Sequence, residues 1–204
     1  MDTKLYIIRH TQTIGNVEHR LTGRYDYEVT EEGSKYIEKI TNKLKNIKFD
    51  VAYSSTSKRT YKTIEKLANL NNIEIKEQEN LCEMYFGIYD GMKWEEVDKI
   101  DSKIKSLHIK TNEIMEIPEQ ETMEEVTDRM YNAILEISRE NVRKNILICS
   151  HGVAIEAFLR QITKIPFAKL REEYSQKNTS LNIVTFDDKT QTFKIELLND
   201  YTHL

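Results

Sequence analysis

Cysteine is scarce in this chain: Cys82 and Cys149 are the only two in 204 residues. Each lies beside an apolar segment, so both read as buried free thiols. A disulfide framework is not indicated, and the chain is expected to be cytosolic. Two prolines and six glycines leave no flexible interdomain linker. No apolar run approaches the ~20 residues of a membrane span, and no signal-peptide pattern precedes the first apolar stretch. Positive charge is not in excess either. A net charge of −4 provides no field for nucleic acid or an anionic membrane, and there is no basic stripe, Gly-rich loop or aromatic platform. Repeats and low-complexity tracts are absent. What remains is the composition of a globular protein, long enough for one domain with a modest insertion. Nothing in the sequence sets the oligomeric state.

The informative stretch is Leu5-Tyr6-Ile7-Ile8-Arg9-His10, followed by a polar loop with Gly15 and Asn16. Four apolar residues read as a buried strand. A cation and an imidazole stand where it stops, and in an open α/β sheet ligands bind outside the carboxyl ends of the strands. From this stretch alone, an ordinary strand terminus with two solvated side chains reads equally well.

The rest of the chain alternates strands and helices. Thr30 before Glu31-Glu32 reads as an N-cap with acids in the first turn, and Ile37, Ile40, Leu44 and Ile47 follow at helical spacing. A strand at 50–53 ends in a Ser/Thr run. The next helix has Tyr61, Ile64 and Leu67 or Ala68 on its inner face and Arg59 in its first turn. A cation there opposes the helix dipole; an anion between the helix end and Arg59 would explain it, and an Arg pointing to solvent is the other reading. Ile73-Glu74-Ile75-Lys76 alternates as a third strand. Glu83 follows among apolar and aromatic residues, a setting that favours a protonated carboxyl. Residues 93–118 read as a helical insertion over one end of the sheet. Thr122 with Glu125 fits a capping box, and Met123, Val126, Met130, Ile134 and Ile137 form a core stripe. Residues 145–152 repeat the opening pattern, an apolar strand ending on His151 and Gly152. Val153–Ile162 form an apolar helix, and 181–186 with 193–198 a hairpin. The expected fold is a three-layer α/β/α sandwich. Its sheet is mainly parallel with an antiparallel edge, and a helical, lid-like insertion at about 84–120 covers the active site.

Arg9, His10, Arg59, Glu83 and His151 thus all fall at the carboxyl ends of strands or in the loops after them. Cations gathered in one crevice repel one another, but they suit a doubly charged phosphoryl group, whose oxygens match the guanidinium fork. The ordered motifs extend the pattern. Arg9-His10-Thr11-Gln12-Thr13 stands with Asn16, then Gly23 with Asp26 and Thr30, and Ser54-Ser55 with Arg59 and Thr63. Leu81 and Glu83 follow with Phe86-Gly87 and Asp90-Gly91, and last comes Ser150-His151-Gly152. In this order they resemble the histidine phosphatase superfamily, which includes the cofactor-dependent phosphoglycerate mutases. The resemblance implies that His10 is the nucleophile and becomes phosphohistidine. It implies that Arg9, Arg59 and His151 clamp the phosphoryl oxygens, with Asn16 and the Gly152 backbone assisting. Glu83 would be the acid and then the base, and Thr22-Gly23 would line the substrate side. The chain departs from the pattern at Thr11, Glu28, Gln120 and Thr122, none of which removes a proposed catalytic group.

The reading is therefore a metal-independent, cofactor-independent phosphomonoester hydrolase acting on a small phosphorylated metabolite. The alternative within the family is a mutase. Mutases of this family carry paired arginines in a longer insertion, whereas here no Arg occurs between Arg59 and Arg129, only lysines such as Lys93, Lys99, Lys103 and Lys105. A metal-dependent hydrolase using His10, His151 and Glu83 lacks close ligand spacing, and Arg9 and Arg59 would repel a divalent ion. A non-catalytic binding protein on the same fold would be expected to lose one of these three groups. His19, His108 and His203 read as surface residues.

Overall fold

The computed structural model describes residues 2–100 and 117–204. Strand β1 (Thr3–Arg9) lies at the centre of a six-stranded sheet with β2 (Val51–Ser54), β3 (Ile75–Glu77), β4 (Asn145–Ser150), β5 (Leu181–Asp187) and β6 (Thr192–Asp200), in the order β3-β2-β4-β1-β5-β6. The first four of that order run parallel; β5 and β6 add an antiparallel edge. This is the expected mixed sheet.

Alternation along β1 explains why the sheet is covered on both faces. Leu5 and Ile7 point into a core built with Met123, Val126, Met130, Ile134 and Ile137 of α5 (Met123–Glu140) and Ile155 and Phe158 of α6 (Gly152–Thr163). Tyr6 and Ile8 point into the opposite core, with Ile40 and Leu44 of α2 (Glu31–Leu44) and Ile64, Leu67 and Ala68 of α3 (Lys58–Asn71). Helices α1 (Ile14–Val17), α4 (Trp94–Ile100) and α7 (Phe167–Tyr174) are the other α-helices among the described residues. Thr30 caps α2 by accepting from Gly33 N–H at 2.9 Å, and Thr122 with Glu125 forms the expected capping box of α5. Both cysteines are free and buried.

Two local expectations fail for identifiable reasons. Tyr61 is 37% exposed; the inner stripe of α3 is Ile64, Leu67 and Ala68, joined by Thr60 and Thr63, so the helix is turned away from Tyr61. Strand β3 starts at Ile75 and not at Ile73. Asn72 ends α3 in the left-handed conformation (φ 53°), and the Ile73 N–H is spent on the Ala68 carbonyl at 3.1 Å. Of the expected insertion at about 84–120, residues 84–100 and 117–120 are described. Their Tyr89, Val97 and Ile117 form a small core with Leu21; 101–116, with His108, lie outside the described residues. Among the described residues no helix is long and apolar enough to cross a membrane.

Candidate active site

The register of the two central strands creates the site. Ile8 lies opposite Cys149 and Arg9 opposite Ser150, so the histidine that follows each parallel strand emerges at the same edge. The His10 and His151 ring centroids are 5.2 Å apart, and both residues are almost completely buried.

Hydrogen bonding determines the tautomer of each ring. His10 Nδ1 lies 2.7 Å from the Thr11 carbonyl, which can only accept, so Nδ1 carries the proton and Nε2 keeps its lone pair. His151 Nδ1 lies 3.0 Å from Arg59 Nη2, which can only donate. His151 Nε2 therefore carries the proton and donates to Ser55 Oγ at 2.8 Å. Burial, followed by the charges of Arg59 and Arg9, holds the His10 pKa well below the ordinary imidazole value. Burial, then Arg59, His10, Arg9 and Arg129, does the same for His151. Both rings are neutral at pH 7.

Arg59 is fully buried, and its fork is mostly engaged. Nη1 donates to the Tyr25 carbonyl at 2.6 Å and to Asp26 Oδ1 at 2.9 Å, and Nη2 to the Gly23 carbonyl at 2.8 Å as well as to His151. The anion at the start of α3 is Asp26 itself, because its Oδ2 accepts from the Lys58 N–H at 2.6 Å. Arg9 Nη1 donates to the Gln176 carbonyl. The Nε–H groups of Arg9 and Arg59 are buried and have no acceptor among the described residues.

Glu83 is held by amides instead of an apolar pocket. Oε1 accepts from Met84 N–H (2.9 Å) and Ala154 N–H (3.0 Å), and Oε2 from Val153 N–H (3.2 Å). The last two belong to the first turn of α6, whose N–H groups have no intrahelical partner. Arg9 and Glu83 both border the start of α6: a Cβ on Gly152 would lie 3.4 Å from Arg9 Nε and 3.8 Å from Glu83 Oε2, ordinary contact distances. Asn16 Oδ1 accepts from Thr13 N–H at 3.0 Å and Asn178 Nδ2 at 3.2 Å. Thr22 and Gly23 reach the cluster through their carbonyls; the Gly23 N–H is taken by Asp90 Oδ1 at 2.7 Å. Arg9, His10, Arg59, Glu83, His151 and Gly152 are thus brought together, with Asn16 and Thr22-Gly23 at the margin.

This geometry and a direct comparison agree. The model of the histidine phosphatase superfamily (branch 1) matches residues 5–200. The chain belongs to this superfamily. Among histidine phosphatase relatives, it is 30% identical over 169 residues to the putative phosphoserine phosphatase 2 of Hydrogenobacter thermophilus, covering 82% of each chain. It is 25% identical over 205 residues to the probable phosphoglycerate mutase GpmB of Shigella dysenteriae, covering 98% of this chain and 94% of that one. The solved structure of YhfR from Bacillus stearothermophilus superposes with a TM-score of 0.89 at 26% identity, over 98% of both chains.

Several supporting residues of this histidine phosphatase superfamily member have no sequence signal of their own. Arg129 of α5 pairs through Nε and Nη2 with Glu121. It also donates to the carbonyls of Asn80 (2.9 Å), Cys82 (2.7 Å) and Glu83 (3.1 Å), fixing the loop that carries the Glu83 carboxylate. Glu156 is within electrostatic reach of Arg9; burial pushes its carboxyl up to about 7, and it accepts from the Gln176 N–H at 3.0 Å. Nor is His203 a free surface side chain: its Nδ1 is buried.

Proposed function

We propose that the protein hydrolyses a small phosphomonoester through a phosphohistidine on Nε2 of His10. The observation that carries this is a neutral, buried imidazole whose Nδ1–H is tied to the Thr11 carbonyl, so that its Nε2 lone pair stands beside two guanidiniums with unpaired Nε–H donors. Buried donors normally find acceptors, and a phosphoryl oxygen is an acceptor of the right charge for both. In the first step Nε2 forms a bond to phosphorus and the ester P–O bond breaks, with a Glu83 proton going to the leaving oxygen. In the second, Glu83 takes a proton from water, the hydroxide adds to phosphorus, and the P–N bond returns its electrons to Nε2. The charge spread over the transferring group is met by Arg9 and Arg59. His151 joins only by exchanging Ser55 for a phosphoryl oxygen at its Nε2–H. The substrate is a small phosphorylated metabolite, and the residues supply all the positive charge this scheme needs.

The test is a panel of phosphomonoesters assayed in chelator, with 3-phosphoglycerate and its bisphosphate included because one relative is named a probable mutase. Net release of phosphate from at least one ester is expected, and its loss in His10→Ala. A variant that hydrolyses the ester like the parent overturns the assignment, and isomerisation without phosphate release replaces it by the mutase.

A further inference from the structure

The C-terminal tail reaches back to the end of β1. There the turn 178–180 grips the backbone of the nucleophile. The Thr179 N–H is shared between the carbonyls of Arg9 (3.1 Å) and His10 (3.3 Å), and the Arg9 N–H donates to the Ser180 carbonyl at 3.1 Å. Asn178 Nδ2 adds a bond to the His10 carbonyl at 3.1 Å. Thr179 is fully buried and has a φ of 56°. A β-branched residue in the left-handed region is strained and persists only where its surroundings hold it there, a condition that points to function.

What holds Thr179 is His203. Thr179 Oγ1 donates to the Asn178 carbonyl at 2.7 Å and so accepts from His203 Nε2 at 3.1 Å. The opposite nitrogen, Nδ1, is buried with no partner among the described residues, which matches a neutral ring protonated at Nε2. The tail is itself fastened to α2: Lys43 Nζ lies 2.7 Å from Asp200 Oδ2 and 2.9 Å from Thr202 Oγ1. Burial and Lys43 lower the His203 pKa, Asp200 opposes them and Lys39 adds to them.

We propose that His203 is a positioning residue: through Thr179 it holds the Arg9-His10 backbone so that His10 Nε2 meets phosphorus in line. This inference rests on His10 being the nucleophile. The experiment compares the parent with His203→Ala, His203→Gln, Thr179→Val and His10→Ala, using p-nitrophenyl phosphate. It measures kcat, KM, melting temperature and amide exchange at Thr179. In His203→Ala, kcat falls about tenfold or more, because small misplacements of a reacting group are costly. KM and melting stay near the parent, and the Thr179 amide exchanges faster. His203→Gln, whose side-chain N–H can reach the same hydroxyl, recovers most of kcat. A parent-like kcat in His203→Ala overturns the proposal, as does a folded His203→Gln no better than the alanine. If His203→Ala does not fold, Thr179→Val decides: it removes the accepting hydroxyl and must lose kcat alike, and a parent-like value overturns the proposal. His10→Ala separates the two failures: turnover there overturns the nucleophile and the positioning role with it, whereas an inactive His10→Ala beside a parent-like His203→Ala overturns the positioning role alone.

Discussion

At the scale of single residues, the site depends on which groups are free to react and which are already engaged. His10 has one nitrogen tied to a carbonyl and one lone pair free. His151, with an identical side chain at the end of the neighbouring strand, has both nitrogens engaged. The difference favours His10 over His151 as the proposed nucleophile, without appeal to motif. Glu83 has both oxygens within reach of the α6 N-terminus and beside Arg9. If it protonates the leaving oxygen, Glu83→Gln should slow alkyl phosphates by about 10²–10⁴, the usual worth of general acid–base help. It should slow nitrophenyl phosphate, whose leaving group needs little protonation, much less. Steady-state rates across a leaving-group series check this, and equal losses would remove Glu83 from the acid role.

At the scale of elements, β1 and β4 were legible because an apolar run that stops on Arg-His or on His-Gly is unusual in both composition and place. Their parallel pairing then puts the two imidazoles side by side. The core stripe of α5 and both caps were equally plain, because helical spacing and capping chemistry are local. What was not legible is held by long-range contacts. Asp26, a loop acid, supplies the anion at the start of α3, and no periodicity marks it. Arg129 looks like an ordinary polar position on α5, yet its five bonds tie Glu121 to the Glu83 loop. Both partners are largely buried, with side chains 14% and 15% exposed. Arg129→Met, which leaves the Glu121 carboxylate only the Tyr85 N–H and a longer approach from Arg24 and frees three loop carbonyls, should destabilise the fold by about 3 kcal/mol. Arg129→Lys should recover little, lacking the planar fork. Urea unfolding measures both, and a loss below about 0.5 kcal/mol for Met would class the pair with ordinary surface ion pairs.

At the scale of the molecule, burying neutral imidazoles ties stability to pH. His10 and His151 have folded pKa values depressed well below 6.5, and that of His203 is also lowered. As pH falls below about 6.5 the unfolded chain takes up protons that the folded chain refuses, so stability drops. Glu156 acts the other way: its folded carboxyl titrates near 7, so its contribution is lost as pH rises from about 4.5 to 7. Histidines outnumber it, and the net effect between pH 5 and 6.5 is a loss on acidification. His10→Asn should reduce that slope by up to about 1.4 kcal/mol per pH unit, the equivalent of one proton, near pH 5, and by about half as much near 6.5. Urea midpoints at several pH values check it, and an unchanged slope would mean that His10 is not held neutral by the fold.

The central claim is chemical, and one measurement meets it directly. The enzyme is mixed with an excess of a turned-over phosphomonoester, quenched in alkaline detergent within milliseconds, and the modified nitrogen is identified by mass spectrometry and phosphorus NMR. The account predicts phosphoryl on Nε2 of His10, appearing before free phosphate. Turnover with no phosphohistidine, or with the phosphoryl group on Nδ1 of His10 or on His151, would contradict it.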